Sequence, residues 1–361
     1  MNYPTIADAE RIKKLNISPE RISLVIDSDT KNEVDDQFAI VWALLSKERF
    51  DVKAVYAAPF HHACFEQFKP GFDRTLLDNC SNMNGKSVSP EDGMEQSYQE
   101  SLKILKLLQE PTEKRVFRGS SEYIHDIRCP IISDAAADLV QRARTSEKTI
   151  YVAAIGALTN IASAILLDPE IIRKIVIIWL GGHELSYGHG IEFNLIQDVK
   201  AAQVIFESGV PLIWIPCNNV ASSLSISEEE IRNNIMPARE IGHYLAEAVL
   251  DTFHDSKSKI SFMKYLRYST LRNNTDQEES YLSQFKTEHI AWSRIIWDIA
   301  AIAILKNPNW IPSKMIKAPV ICDDYSWKDP DRERHMIRVA TFCHRDMIFG
   351  DLIHCLWEAF C

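Results

Sequence analysis

Five carboxylates fall within ten residues in the segment Asp27-Ser28-Asp29-Thr30-Lys31-Asn32-Glu33-Val34-Asp35-Asp36. Carboxylates at this density repel one another unless a proton or a cation neutralises them. A hard divalent cation held by oxygen atoms does so without further groups. Two chemistries suit the set. In a Mg2+-dependent phosphohydrolase, the Asp27/Asp29 pair would supply a nucleophile and an acid. That pattern calls for Thr or Val two residues after the second Asp, where this chain has Lys31. In a metal-dependent hydrolase of another kind, one aspartate would instead activate a water molecule.

The flanking sequence explains how the carboxylates are positioned. Ile22–Ile26 is a short β-branched run that reads as a strand buried on both faces. Strand period two then puts Asp27 and Asp29 on one face at its C-terminal end. Val34–Ser46 has helical periodicity, with acidic residues in its first turn, where the helix dipole favours them. Asp35 and Asp36 therefore point back toward Asp29. In open α/β sheets, ligands sit beyond the carboxyl ends of the strands.

The rest of the chain repeats this alternation. Strands are predicted at Val52–Ala57, Ile150–Ala154, Ile175–Leu180 and Leu212–Ile215, and helices at Ser97–Leu108, Asp134–Thr145, Leu158–Leu167 and Asp198–Ser208. Ser227 with Glu230 has the spacing of a capping box that opens a further helix over Ser227–Ile231. Such alternation implies an α/β fold: a mainly parallel sheet flanked by helices, with a Rossmann-like core. Polar stretches at Gly71–Gly93, Asp255–Lys259 and Arg272–Ser280 are too short to force a boundary. The expectation is one domain over residues 1–361, with a core of about 20–310 and a C-terminal extension, 311–361, packed on it.

Composition narrows the function classes. Hydrophobic residues make up 46% of the 361 and charged residues 25%, which excludes a globally disordered chain. A formal charge of −10 argues against a nucleic-acid or anionic-membrane binder. The eight cysteines, at 64, 80, 129, 217, 322, 343, 355 and 361, form no C-x-x-C pair, so no thiolate zinc site is expected. They read as free thiols in a reducing cytoplasm. The N-terminus has no long apolar run, and the windows Ile171–Leu180 and Ile295–Leu305 are about half the length a membrane span needs.

Four ordered segments resemble the inosine–uridine preferring nucleoside hydrolase family. Asp27-x-Asp29 followed by Asp35-Asp36 is similar to its D-x-D…D-D signature, with five intervening residues where the family usually has three. Gly156-Ala157-Leu158-Thr159-Asn160-Ile161-Ala162 resembles its G-x-L-T-N-I-A turn. Gly181-Gly182, then Glu192-Phe193-Asn194 and Asp198, resembles its G-G…E-F-N-x-x-x-D segment. Trp297-Asp298-Ile299-Ala300 resembles its H-D-A segment, with Trp for His.

The resemblance implies a calcium-dependent N-ribohydrolase that splits a ribonucleoside into ribose and base. It implies Ca2+ ligation by Asp29, Asp36, the carbonyl of Ile155, and Asp298. Asp29 would take a proton from the water that attacks C1′. Asp35 and Asn194 would contact ribose hydroxyls, Glu192 the 5′ end, and Trp297 the base, a purine by its stacking area. Asp27 and Asn32 would support Asp29. His62 would contact substrate, and His61, His62, His183 and His189 are candidate acids for the leaving base. The resemblance further suggests a homodimer or homotetramer. The phosphohydrolase and a non-catalytic nucleoside binder are the alternatives.

Overall fold

A computed structural model describes residues 3–62, 89–254, 293–329 and 333–359. The stretches 71–88, 255–259 and 272–280, together with Cys64, Cys80 and Cys361, lie outside the described residues. The chain divides into two compact units. The larger comprises Met1–His61, Ser87–Leu224 and Ile295–Cys361, and the smaller His62–Lys86 and Ser225–Arg294.

In the larger unit, helix α1 (Asp8–Leu15) precedes strand β1 (Ile22–Ser28). Then follow α2 (Asp36–Leu45), β2 (Phe50–Ala57), α3 (Pro90–Leu107), β3 (Val116–Arg118) and α4 (Asp134–Thr145). Next come β4 (Ile150–Ala154), α5 (Thr159–Leu167), β5 (Ile175–Leu180), α6 (Phe193–Gln197), α7 (Val199–Ser208) and β6 (Leu212–Ile215). In the smaller unit, Ser227 and Glu230 close the expected capping box. It caps only a three-residue helix, Glu228–Glu230, which widens into a π-turn at Ile231–Ile235 before α8 (Arg239–His254). The larger unit resumes with α9 (Ile299–Lys306), β7 (Ser313–Lys317), β8 (Met336–Ala340) and α10 (Arg345–Glu358).

Among the described residues, eight strands form one sheet in the order β3-β2-β1-β4-β5-β6-β8-β7. Every pairing is parallel except that of β7 with β8. Helices on both faces cover parallel strands, so the strands must be apolar on both sides. All six residues of β5 and all five of β4 are buried accordingly. Residues beyond 310 enter the sheet itself, because β8 lies between β6 and β7. Among the described residues no helix is long and apolar enough to cross a membrane, and Cys129, Cys217, Cys322, Cys343 and Cys355 carry free thiols.

The strand order determines where a ligand fits. From β1 the chain moves outward to β2 and β3, then returns to β4 on the other side of β1 and proceeds to β5 and β6. A topological switch point therefore lies between the carboxyl ends of β1 and β4.

Candidate functional site

The carboxylates gather at this switch point. The helix expected from Val34 begins at Asp36, and Asp35 occupies its N-cap, so 34–35 belong to the loop. Thr30 and Lys31 pin the loop to α3. The Thr30 hydroxyl lies 3.1 Å from that of Ser101, and Lys31 Nζ lies 3.5 Å from Glu100. Asn32 is buried, and its N–H donates to the Asp29 carbonyl at 2.7 Å, tightening the turn after the strand. Ser28 at the end of β1 donates to Asp36 Oδ1 at 2.6 Å.

Oxygen atoms of Asp35, Asp36 and Asp298 lie within 4.8 Å of one another. Asp35, expected from the resemblance at a ribose hydroxyl, thus joins this trio. Asp29 adjoins it and is 1% exposed, and its Oδ2 is buried with no hydrogen-bond partner. Burial, then the charges of Asp36 and Asp35, push the Asp29 carboxyl well above its ordinary range. Asp36 and Asp298 are raised the same way, by burial first and then by Asp35, with Glu33 adding to each. A buried set of hard oxygen donors that cannot all ionise together is the arrangement a divalent cation relieves. The described residues therefore fit a hard cation and not a soft one.

The turn after β4 closes the other side. A Cβ on Gly156 would sit 3.1 Å from Asp29 Oδ1 and 3.2 Å from the Ala58 Cβ, so the backbone passes the carboxylate at close range. Asn194 donates from Nδ2 to the carbonyls of Ile155, at 3.3 Å, and Leu180, at 3.0 Å. It ties the ends of β4 and β5 together and holds the Ile155 carbonyl in place. That carbonyl keeps a second lone pair.

Glu192 is the N-cap of α6. It accepts from the N–H groups of Asn194 at 3.0 Å and Leu195 at 3.3 Å, and from Gly182 at 2.7 Å. Burial raises its carboxyl to about 7 despite these donors. Gly182 itself has φ +64°, a left-handed turn that suits glycine. Asp198 caps α7 and also accepts from the Ile124 N–H and the Thr159 hydroxyl, so it braces three segments. Trp297 is half-buried between the buried Ile296 and Asp298, and its backbone N–H donates to Asp35 Oδ2 at 3.1 Å.

The histidines differ in their settings. His183 is 7% exposed, and burial, with His189 nearby, lowers its pKa to about 4. His189 accepts from the Ile191 N–H through Nδ1 at 3.2 Å. His61, after β2, lies 3.1 Å through Nδ1 from both Tyr123 Oη and Gln197 Oε1, and Gln197 also bonds its backbone N–H and carbonyl. His62 is half-buried and belongs to the smaller unit.

Asn160, at the start of α5, emerged as a site residue only in the structure. Its Nδ2 donates to Asp27 Oδ1 at 2.8 Å and to the Ala57 carbonyl at 3.2 Å, and its Oδ1 accepts from the Ser120 N–H at 2.7 Å. One amide thus links β1, β2, the turn after β3 and α5. Asp27 is fully buried and, mainly through burial, its carboxyl is raised to about 7. The sequence signal was present: an asparagine inside an otherwise apolar helix start has to find partners.

Comparison with known proteins yields one family model, that of the inosine-uridine preferring nucleoside hydrolases, which matches residues 24–348. A putative pyrimidine-specific ribonucleoside hydrolase RihB of Shigella boydii is 39% identical over 83 residues, covering 21% of this chain and 33% of that protein. A probable uridine nucleosidase 2 of Arabidopsis thaliana is 29% identical over 130 residues, covering 35% of this chain and 40% of that protein. The matched stretches thus span well under half of these relatives. A solved purine-preferring ribonucleoside hydrolase from Gardnerella vaginalis shares the fold, with TM-score 0.61 and 19% identity over 93% of this chain and 98% of that one.

Proposed function

Because the chain belongs to the inosine-uridine preferring nucleoside hydrolase family, we propose that it hydrolyses the N-glycosidic bond of a ribonucleoside, purines favoured, to ribose and free base. The observation that carries this reading is the buried Asp29 Oδ2, left without a partner beside the trio of Asp35, Asp36 and Asp298. Asp29, Asp36 and Asp298, with the Ile155 carbonyl, would hold one Ca2+, for which an all-oxygen set is suited. When bound, that ion supplies Lewis-acid activation of water and neutralises part of the carboxylate charge.

The protein groups do the rest. Asp29 accepts the proton of the water that attacks C1′. Positive charge develops on the ribose ring as the base departs, and the surrounding carboxylates stabilise it. Asp35 and Asn194 orient the ribose hydroxyls. Glu192 holds the Gly182 turn and the start of α6, so its action at the 5′ end is one of shaping the wall. Trp297 offers an indole face for a flat base. The names of the relatives point to both pyrimidines and purines, so the preference rests on Trp297 alone.

A panel of purine and pyrimidine ribonucleosides with product detection, run with Ca2+ and with chelator, tests the reading. Release of base and ribose that stops with chelator is the expected result. Phosphate release from phosphomonoesters without base release would overturn it, and tight nucleoside binding without turnover would make the chain a binder.

A further inference from the structure

A row of hydroxyls runs from α3 to the carboxylate of Asp36. Strand alternation turns Ser28 away from its neighbours Asp27 and Asp29. Its Oγ lies 2.6 Å from Thr30 Oγ1 and donates to Asp36 Oδ1 at 2.6 Å. Thr30 Oγ1 in turn lies 3.1 Å from Ser101 Oγ. Ser28, Thr30 and Ser101 are fully buried, so bulk water does not compete for these bonds. A hydroxyl has one proton to give and two lone pairs to receive. An ionised Asp36 can only accept, so the Ser28 proton is committed to it. Ser28 must then accept from Thr30, and Thr30, its own proton spent, must accept from Ser101. All three O–H dipoles therefore point toward Asp36. Hydrogen bonds in such a row polarise one another, and one that ends on a charged oxygen is stronger than a neutral one.

Helix α3 is fixed where this row needs it, although it carries none of the four family segments. Gly93, Ser97 and Ser101 recur every four residues and so share one helix face. A Cβ on Gly93 would come within 1.9 Å of the Phe60 carbonyl oxygen, so the helix rests directly on the chain that follows β2. Ser97 Oγ shares its proton between the carbonyls of Ala58, at 3.3 Å, and Gly93, at 2.9 Å. The Ala58 N–H donates to the Ser28 carbonyl at 2.8 Å, which closes the circuit back to β1. The ion pair of Lys31 with Glu100 lies one residue along from the Thr30–Ser101 contact on each side.

Resting on the reading of Asp36 as a Ca2+ ligand, we infer that Ser28, Thr30 and Ser101 are positioning residues for the cation: a buried hydroxyl row that fixes the rotation of the Asp36 carboxylate and strengthens Ca2+ binding from α3. They act through Asp36 and not on the ion or the substrate. Ser28 supplies the bond to the carboxylate. Thr30 and Ser101 set the direction of that bond, because with both hydroxyls in place Ser28 has no other acceptor to turn to.

The test is calorimetric titration of Ca2+ into the full chain, first freed of metal with chelator. Wild type is compared with Ser28→Ala, Thr30→Val, Thr30→Ser, Ser101→Ala and the Thr30→Val/Ser101→Ala double variant, and urea unfolding in chelator monitors the fold of each. Groups that orient a metal's ligands contribute about 10–100-fold in metal affinity, and Ser28→Ala should fall in that range. Thr30→Val and Ser101→Ala, which act through Ser28, should each weaken Ca2+ binding at least about threefold. Thr30→Ser keeps the hydroxyl and should bind as wild type does. The double variant should bind no more weakly than Thr30→Val, because without the Thr30 hydroxyl Ser101 has no route to Asp36. Lower urea midpoints with unchanged Ca2+ affinity would show bonds that only hold the fold, and would overturn the inference. So would additive losses in the double variant, or a Thr30→Ser as weak as Thr30→Val. Should Thr30→Val not fold, Ser101→Ala decides alone, unchanged affinity overturning the inference. In each of these cases, loss of Ca2+ in Asp36→Asn leaves the ligand reading intact. No Ca2+ binding by wild type, or binding that Asp36→Asn does not alter, overturns that reading and the inference with it.

Discussion

His183 offers a quantitative test of the site's electrostatics. Its ring is buried, and burial lowers its pKa from 6.5 to about 4. Below pH 6.5 the unfolded chain takes up a proton on this histidine, whereas the folded chain does not until about pH 4. The contribution to stability is complete above the unfolded value and is lost as pH falls through this window. Each unit is worth about 1.4 kcal/mol, so the full loss is about 3 kcal/mol, of which about 2 has gone by pH 5. His183→Gln removes the titration and keeps an amide near Asn218, whose Nδ2 lies 3.4 Å from His183 Nε2. Urea unfolding of both proteins across about pH 4.5–8 in chelator gives two curves. Their difference should shrink by about 2 kcal/mol between pH 7 and pH 5, since only the native protein pays for protonating the unfolded chain. Parallel curves would refute the reasoning and readmit His183 as an acid at neutral pH.

Asp36→Asn and Asp298→Asn should each abolish stoichiometric Ca2+ binding measured by calorimetry, and retained binding would remove them as ligands. Asp29→Asn keeps the shape but loses the proton acceptor, so kcat should fall about 10²–10⁴-fold; near-normal turnover would assign the base elsewhere. Trp297→Ala should cost purine substrates at least several-fold in kcat/KM, from stacking of about 0.5–1.5 kcal/mol beyond burial. Asn160→Ala strands buried partners on Asp27 and Ser120, each worth about 1–3 kcal/mol, so the unfolding midpoint in urea should drop clearly; an unchanged midpoint would show that the clamp is not needed.

Much of the fold was legible because buried parallel strands are short apolar runs with sharp ends. Ile150–Ala154, Ile175–Leu180 and Leu212–Ile215 stand where periodicity put them, as does the helix Asp134–Thr145. Local signals fail where tertiary contacts decide. α3 begins at Pro90, seven residues before its apolar stripe reveals it, with Ser89 as its cap. β7 and β8 alternate polar and apolar residues near the sheet's edge and are weak as isolated runs. At the site, spacing brought Asp29, Asp35 and Asp36 together, but the partners of Asp27 and Glu192 depend on segments over a hundred residues away or on a turn geometry no pattern encodes. The direction of Lys31 was equally hidden, because its partner Glu100 lies on another helix.

The position of β8 bears on how the chain reaches this state. β6 is a four-residue strand, Leu-Ile-Trp-Ile, buried at every position, and one of its two edges is paired by residues that follow it by more than a hundred positions. During synthesis, β1 to β6 can assemble while that edge still lacks its neighbour. An apolar strand with unpaired N–H and C=O groups is a template for joining another chain, and sheets closed by distant segments close slowly. The interval before Met336–Ala340 docks is therefore when two nascent copies are most exposed to pairing with each other, and holding a chaperone at that edge would protect the yield of folded protein more than any stabilisation of the finished core.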